Sequence, residues 1–126
     1  MNGTNSTSGM SDGFDLDRWV SDWYDGWNRH DLDAVMSHVA PEVVFRSPTA
    51  ERVTGHHTVR GADALRDYWR AALERQPELH FTPVEVLTGP AWVLLRYRTQ
   101  RGVDVGELMV LDAAGRMIEG IVAHGR

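Results

Sequence analysis

Two side chains in this sequence combine a reactive type with a telling position. Glu107 alternates with Val103, Val105, Met109 and Leu111, so on a strand it shares their face. A carboxylate in an apolar row is costly when it is charged and unpaired. Burial would raise its pKa and suit it to donate a hydrogen bond or shuttle a proton. The same segment also allows the opposite face to be the dry one, because Leu108 and Val110 are apolar as well. His124 alternates with Ile118, Gly120 and Val122. Histidine is the usual general base near neutral pH. Its place near the end of the sequence fits a frayed terminal residue equally well.

Other side chains could wall a site around these two. Trp23, Trp27, Tyr68 and Trp69 fall on helix faces, where core packing is the default role. In a hollow fold the core and the pocket wall are the same residues, and their N–H and O–H groups then serve a ligand. Ser47 and Tyr97 would add hydroxyls. His56 and His57 are adjacent, so their side chains point apart and make a poor metal pair; they read as solvated loop residues. His38 follows a helix stripe and reads as a helix-end partner. No metal-ligand constellation, glycine-rich phosphate loop or Ser-His-Asp arrangement is present, so neither a metal nor a cofactor is expected. With no cysteine, the chain has no disulfide and no thiol nucleophile.

The elements that must position these groups follow from periodicity. Leu16, Trp19, Val20, Trp23 and Trp27 mark one face of a first helix, with Asp15 and Asp17 at its positive end. Asp31 caps a short second helix carrying Leu32, Val35, Met36 and Val39, which Pro41 ends. A short strand over residues 42–47 and a polar loop over residues 48–60 follow. Gly61 opens a third helix with the stripe Leu65, Tyr68, Trp69, Ala72 and Leu73, closed by Gln76-Pro77. Four β-rich runs, over residues 79–87, 92–100, 103–111 and 117–124, are separated by Gly89-Pro90, Arg101-Gly102 and Ala114-Gly115. Short connections imply antiparallel neighbours. Three helices set apart from a mostly antiparallel sheet predict an α+β fold, and a curved sheet beneath them can enclose a cavity. Trp92, Leu94, Arg96 and Arg98 share an opposite strand face that reads as a subunit interface, with the arginines paired to Glu119. Arg66, Asp67 and Arg70 read as the wet side of the third helix.

Bulk properties narrow the classes. The 126 residues suit one domain able to bury a core without staples. A net charge of −5 disfavours nucleic acid, which needs clustered cations. No apolar run approaches the roughly 20 residues that span a bilayer, so no membrane partner is expected. Residues 1–13 are mostly Ser, Thr, Asn and Gly without an apolar stretch, and read as a flexible tail rather than a secretory signal. Cytoplasmic location is the expectation, and residues 14–126 form the folded domain.

Residues 23–48 (WYDGWNRHDLDAVMSHVAPEVVFRSP), residues 59–73 (VRGADALRDYWRAAL) and the strand-rich end together resemble the SnoaL-like branch of the nuclear transport factor 2-like superfamily. The resemblance implies a cone with a deep pocket for an apolar small molecule, often in a homodimer built on the outer sheet face. It also implies that His124 lies in that pocket and that His56 and His57 rim its mouth. Ketosteroid isomerases of this layout have a general-base Asp where Ser47 stands, an oxyanion-hole Tyr at Trp23, and a protonated Asp at Glu107. The Arg-x-Asp of epoxide hydrolases falls on Arg96-Tyr97-Arg98, where the Asp is missing. The acidic or His group of the related polyketide cyclases could only be Glu107 or His124. The function so implied is cofactor-free acid–base catalysis of lyase, isomerase or cyclase type, with His124 as base and Glu107 as acid. A non-catalytic binding protein or a dimeric interaction module is the alternative on the same scaffold.

Overall fold

Asp15 starts the first helix by accepting the Arg18 amide hydrogen at 3.0 Å, which satisfies one of the amides a helix start leaves unpaired. The computed structural model describes residues 14–126; the expected tail over residues 1–13 lies outside the described residues. Helix α1 (Leu16–Asn28) buries Trp19, Trp23, Tyr24 and Trp27. His30 takes a left-handed turn at φ 57°, and Asp31 caps α2 (Leu32–Met36) through the Ala34 amide at 3.1 Å. The chain is already extended by Val39, in β1 (Val39–Arg46). Pro41 therefore does not end a helix but lies in β1, in the irregular stretch between Val39 and Val44 where no ladder amide is needed.

The segment expected to be an open loop is instead ordered. Helix α3 (Pro48–Thr54) is capped by Ser47, whose Oγ accepts the Thr49 amide hydrogen at 3.1 Å, and is closed by Gly55 at φ 87°. Strand β2 (Thr58–Arg60) then pairs antiparallel with β1. Among the described residues there are thus four helices where three were predicted. Helix α4 (Ala62–Arg75) leaves Gly61 and buries Leu65, Tyr68, Trp69 and Ala72. Its outer arginines pair with Asp33 and Asp67, as a wet face should.

Four long strands complete the chain: β3 (Phe81–Thr88), β4 (Trp92–Thr99), β5 (Asp104–Leu111) and β6 (Met117–His124). The sheet order is β2-β1-β6-β5-β4-β3, antiparallel throughout except for β1 beside β6. Register breaks between Pro83 and Glu85 and between Val110 and Leu111 supply the local twist that bends such a sheet. The second break also brings Met117 inward at the start of β6, while Ile118 is only half-buried.

Alternation then sorts the two faces. Val93, Leu95 and Tyr97 of β4 and Val105, Glu107, Met109 and Leu111 of β5 are buried under the helices. Burying each of the fully enclosed Val93, Leu95 and Met109 is worth about 1.5–3 kcal/mol. The outer face carries Trp92, Leu94, Arg96 and Arg98. Its arginines do not pair with Glu119. Arg96 meets Glu85 at 2.7 Å and Arg98 meets Asp104 at 3.0 Å, because those acids stand directly across on the neighbouring strands. Glu119 lies beyond β5 and pairs with Arg46 at 3.0 Å.

Candidate active site

Three adjacent strands aim three reactive side chains at one space. Tyr97 on β4 faces Val105 on β5, which faces His124 on β6; Glu107 sits two residues further along β5, between Leu95 and Val122. All are on the helix-covered face. Glu107 is thus the diagonal neighbour of both Tyr97 and His124, roughly 7–8 Å away between Cα atoms, within reach of long side chains. The Tyr97 hydroxyl closes one diagonal, donating to Glu107 Oε1 at 2.9 Å.

These groups line a cavity of about 160 Å³. That is close to the ~150 Å³ of an engineered apolar cavity that holds benzene. Among the residues expected at a site, Trp27, Ser47, Tyr68, Trp69, Tyr97, Glu107 and His124 all border it. Trp23 does not. It is fully enclosed one layer behind, stacked on Trp19 at 5.5 Å and edge-on to Trp27 and Trp69. The Ser47 Oγ accepts the Thr49 amide hydrogen in the α3 cap, and its hydroxyl also engages the Tyr68 hydroxyl. His56 and His57 are exposed and do not border the cavity; His57 Nδ1 lies 2.9 Å from the Thr58 hydroxyl. His38 packs edge-on to Trp19 and donates from Nδ1 to the Ala34 carbonyl at 3.1 Å.

Several lining residues escaped the sequence reading. Phe45 and Phe81 extend the aromatic wall, packing on Trp69 at 5.3 Å and Tyr97 at 4.4 Å. Arg52 reaches the cavity from α3, a helix that was read as loop. Arg101 comes from the β4–β5 connection, where it was read as punctuation. For α3 the signal was present in Ser47-Pro48 and Gly55, an N-cap, a first-turn proline and a C-terminal glycine.

Burial sets the electrostatics. The Glu107 carboxyl is pushed up to about 7 by removal from water, against the opposing pull of the Tyr97 hydrogen bond. The Tyr97 hydroxyl is raised well above its ordinary value by burial and then by the Glu107 charge, so it stays a donor. Tyr68 is raised, chiefly by burial. His124 is lowered from 6.5, first by burial and then by the positive charge of Arg52, which keeps it neutral at neutral pH. Behind Tyr97, the buried Tyr24 hydroxyl has no partner among the described residues; burial and then the Glu107 charge keep it protonated. No group of three metal-ligand side chains forms among the described residues.

A cone of helices over a bent sheet, with titratable groups inside, is an architecture that hosts small-molecule binding and catalysis. The SnoaL-like domain family model matches residues 20–120, and the chain belongs to that family; its fold is the nuclear transport factor 2-like cone. A SnoaL-like protein of unknown function from Burkholderia thailandensis is 31% identical, with a TM-score of 0.81 over 87% of this chain and 94% of that one. A steroid delta-isomerase from Pseudomonas aeruginosa shares the fold at 21% identity and a TM-score of 0.68, over 87% of this chain and 79% of that one. An NTF2-like protein of unknown function from Burkholderia pseudomallei is similar at 19% identity and a TM-score of 0.70, over 86% of this chain and 88% of that one. No curated protein matches the sequence. No helix among the described residues is long and apolar enough to cross a membrane.

Proposed function

We propose that the protein is a cofactor-free acid–base enzyme of lyase, isomerase or cyclase type, acting on a ring-sized, largely apolar metabolite. The observation that carries this reading is a buried carboxyl held near 7, hydrogen-bonded to Tyr97, in the same aromatic-walled cavity as a neutral histidine. The shared first step of all three reaction types is abstraction of a proton next to a carbonyl. His124 takes that proton, the C–H electron pair moves into the carbonyl, and an enolate oxygen forms. Protonated Glu107 donates a hydrogen bond to that oxygen, with its carboxyl plane fixed by Tyr97. Return of the proton to another carbon completes an isomerisation; loss of a β-substituent or attack on a second carbonyl completes the others. Trp27 and Trp69 supply the apolar walls.

The test is exchange of the carbonyl-adjacent protons of small ring ketones in D2O, followed by proton NMR. The native protein accelerates exchange, and His124→Asn and Glu107→Gln each lose most of the acceleration while staying folded. Ordinary carboxylate and imidazole titration midpoints for Glu107 and His124 would remove the basis of the reading. The outer sheet face supports a homodimer as the working assembly: Leu87 and Trp92 are each 46% exposed and Ile121 41%.

A further inference from the structure

The arginines of this chain are unevenly occupied. All thirteen cationic side chains are arginine, and eight of them form ion pairs with carboxylates in the structure. Of the five without such a pair among the described residues, Arg52 and Arg101 border the cavity. Arg52 follows Glu51, the single acid of its helix, without pairing to it, and donates to the Thr49 hydroxyl at 3.1 Å. Asp104, the acid nearest Arg101 in sequence, is taken by Arg98. Both arginines are exposed and so stand at the mouth, whereas Glu107, the one carboxylate lining the cavity among the described residues, is 3% exposed. In a chain of net charge −5, this opening is locally positive.

We infer that the cavity takes a small monocyclic carboxylate, with its anionic group held between Arg52 and Arg101 at the mouth and its ring on the Trp27–Trp69–Phe81 wall. Three features carry the inference. A guanidinium presents a planar fork that matches a carboxylate's two oxygens, and two of them from separate segments, α3 and the β4–β5 connection, fix its orientation. Cations left without partners beside an apolar, low-dielectric wall focus their field into the cleft and draw anions against the overall charge. The cavity volume admits a single ring and leaves the charged group at the opening, away from Glu107. The inference rests on the proposed enzyme site and deepens it: the carboxylate end sets the orientation that brings the far end of the ring to Glu107 and His124.

Calorimetric and NMR titrations with benzoate and its neutral isostere benzamide test it on the native protein, on Arg52→Gln, Arg101→Gln and their double variant, and on Arg75→Gln, which alters an arginine away from the cavity. The native protein and Arg75→Gln bind benzoate at least tenfold more tightly than benzamide. Each single cavity variant shrinks that ratio, and the double variant abolishes it without loss of fold. The ratio also shrinks as salt rises from about 20 to about 200 mM. Equal binding of the two probes, binding of neither, or a ratio that survives in the double variant overturns the inference. Those outcomes leave the acid–base reading intact if Glu107 still titrates near 7; an ordinary Glu107 midpoint with a retained benzoate preference does the reverse.

Discussion

Replacing Glu107 by glutamine separates the cost of its charge from everything else it does. The amide keeps the shape, and its oxygen still accepts the Tyr97 hydroxyl hydrogen, which lies 2.9 Å from Glu107 Oε1. What disappears is ionisation. In the folded protein the carboxyl titrates at about 7 against an ordinary 4.5, so between these values the folded state holds a proton that the unfolded state has released. Stability then falls as pH rises. The stabilising preference is fully present below about 4.5 and gone above about 7. The gap corresponds to about 3 kcal/mol. Glu107→Gln is therefore close to neutral at about pH 4.5 and more stable than the native protein by about 3 kcal/mol at about pH 8. For a domain of this size, that is on the order of 10 °C in melting temperature. Thermal and urea melts of both proteins across that range read the difference directly, and other titrating groups cancel in it. A difference that is constant with pH refutes the reasoning, and one that grows toward acid reverses its sign.

Tyr97→Phe removes the one hydrogen bond that holds the Glu107 carboxyl down, so its midpoint rises further above 7; carbon-13 NMR of the carboxyl resonance follows the shift. Leu95→Ala empties a fully enclosed position opposite Glu107 and lowers unfolding free energy by about 2–5 kcal/mol in urea melts, without moving the His124 titration. Under the proposed dimer, light scattering at micromolar concentration gives twice the monomer mass for the native protein, and Trp92→Asp, which charges the outer face, brings it to the monomer value. A native monomer would contradict the interface proposal.

What the sequence made legible, and what it hid, divides along physical lines. Helix α1 could be read because its stripe is long and Asp15 sits at its start. Glu107 could be read because period-2 alternation left only two possible faces, and the structure buries the one it shares with Val105 and Met109. Helix α3 was missed because only Ala50 on it is buried, so it has no stripe to detect and announces itself through its caps alone. Missing it concealed Arg52 as well. Trp23 and Trp27 lie on one stripe, and local pattern cannot tell which of them fronts a cavity. That is decided by where Trp69 of α4 lands, edge-on to both at 5.9 and 5.0 Å, a contact between segments far apart in sequence. The arginine pairings on the outer face were misassigned for a similar reason: they depend on strand order and register, which place Glu85 and Asp104, not Glu119, beside β4.

The inner face of β5 shows where folding and chemistry diverge. Val105, Met109 and Leu111 each gain by leaving water, and an apolar residue of similar volume at position 107 would continue the row at no electrostatic cost. Glu107 instead leaves a carboxyl whose ionised form the fold disfavours, with one oxygen bonded to Tyr97 and the group opening onto the cavity. Elsewhere in the core, the Tyr24 hydroxyl and the Trp23 indole N–H are buried without partners among the described residues, two further polar groups that an apolar core would omit. Departures from good packing rules that gather in one place are the mark of a site where stability is given up for something else. Of these groups Glu107 opens onto the cavity, whose lining also holds Arg52 and Arg101. On the proposed function, that arrangement holds a neutral carboxyl in reserve for a substrate's developing negative charge, a role the fold itself does not require.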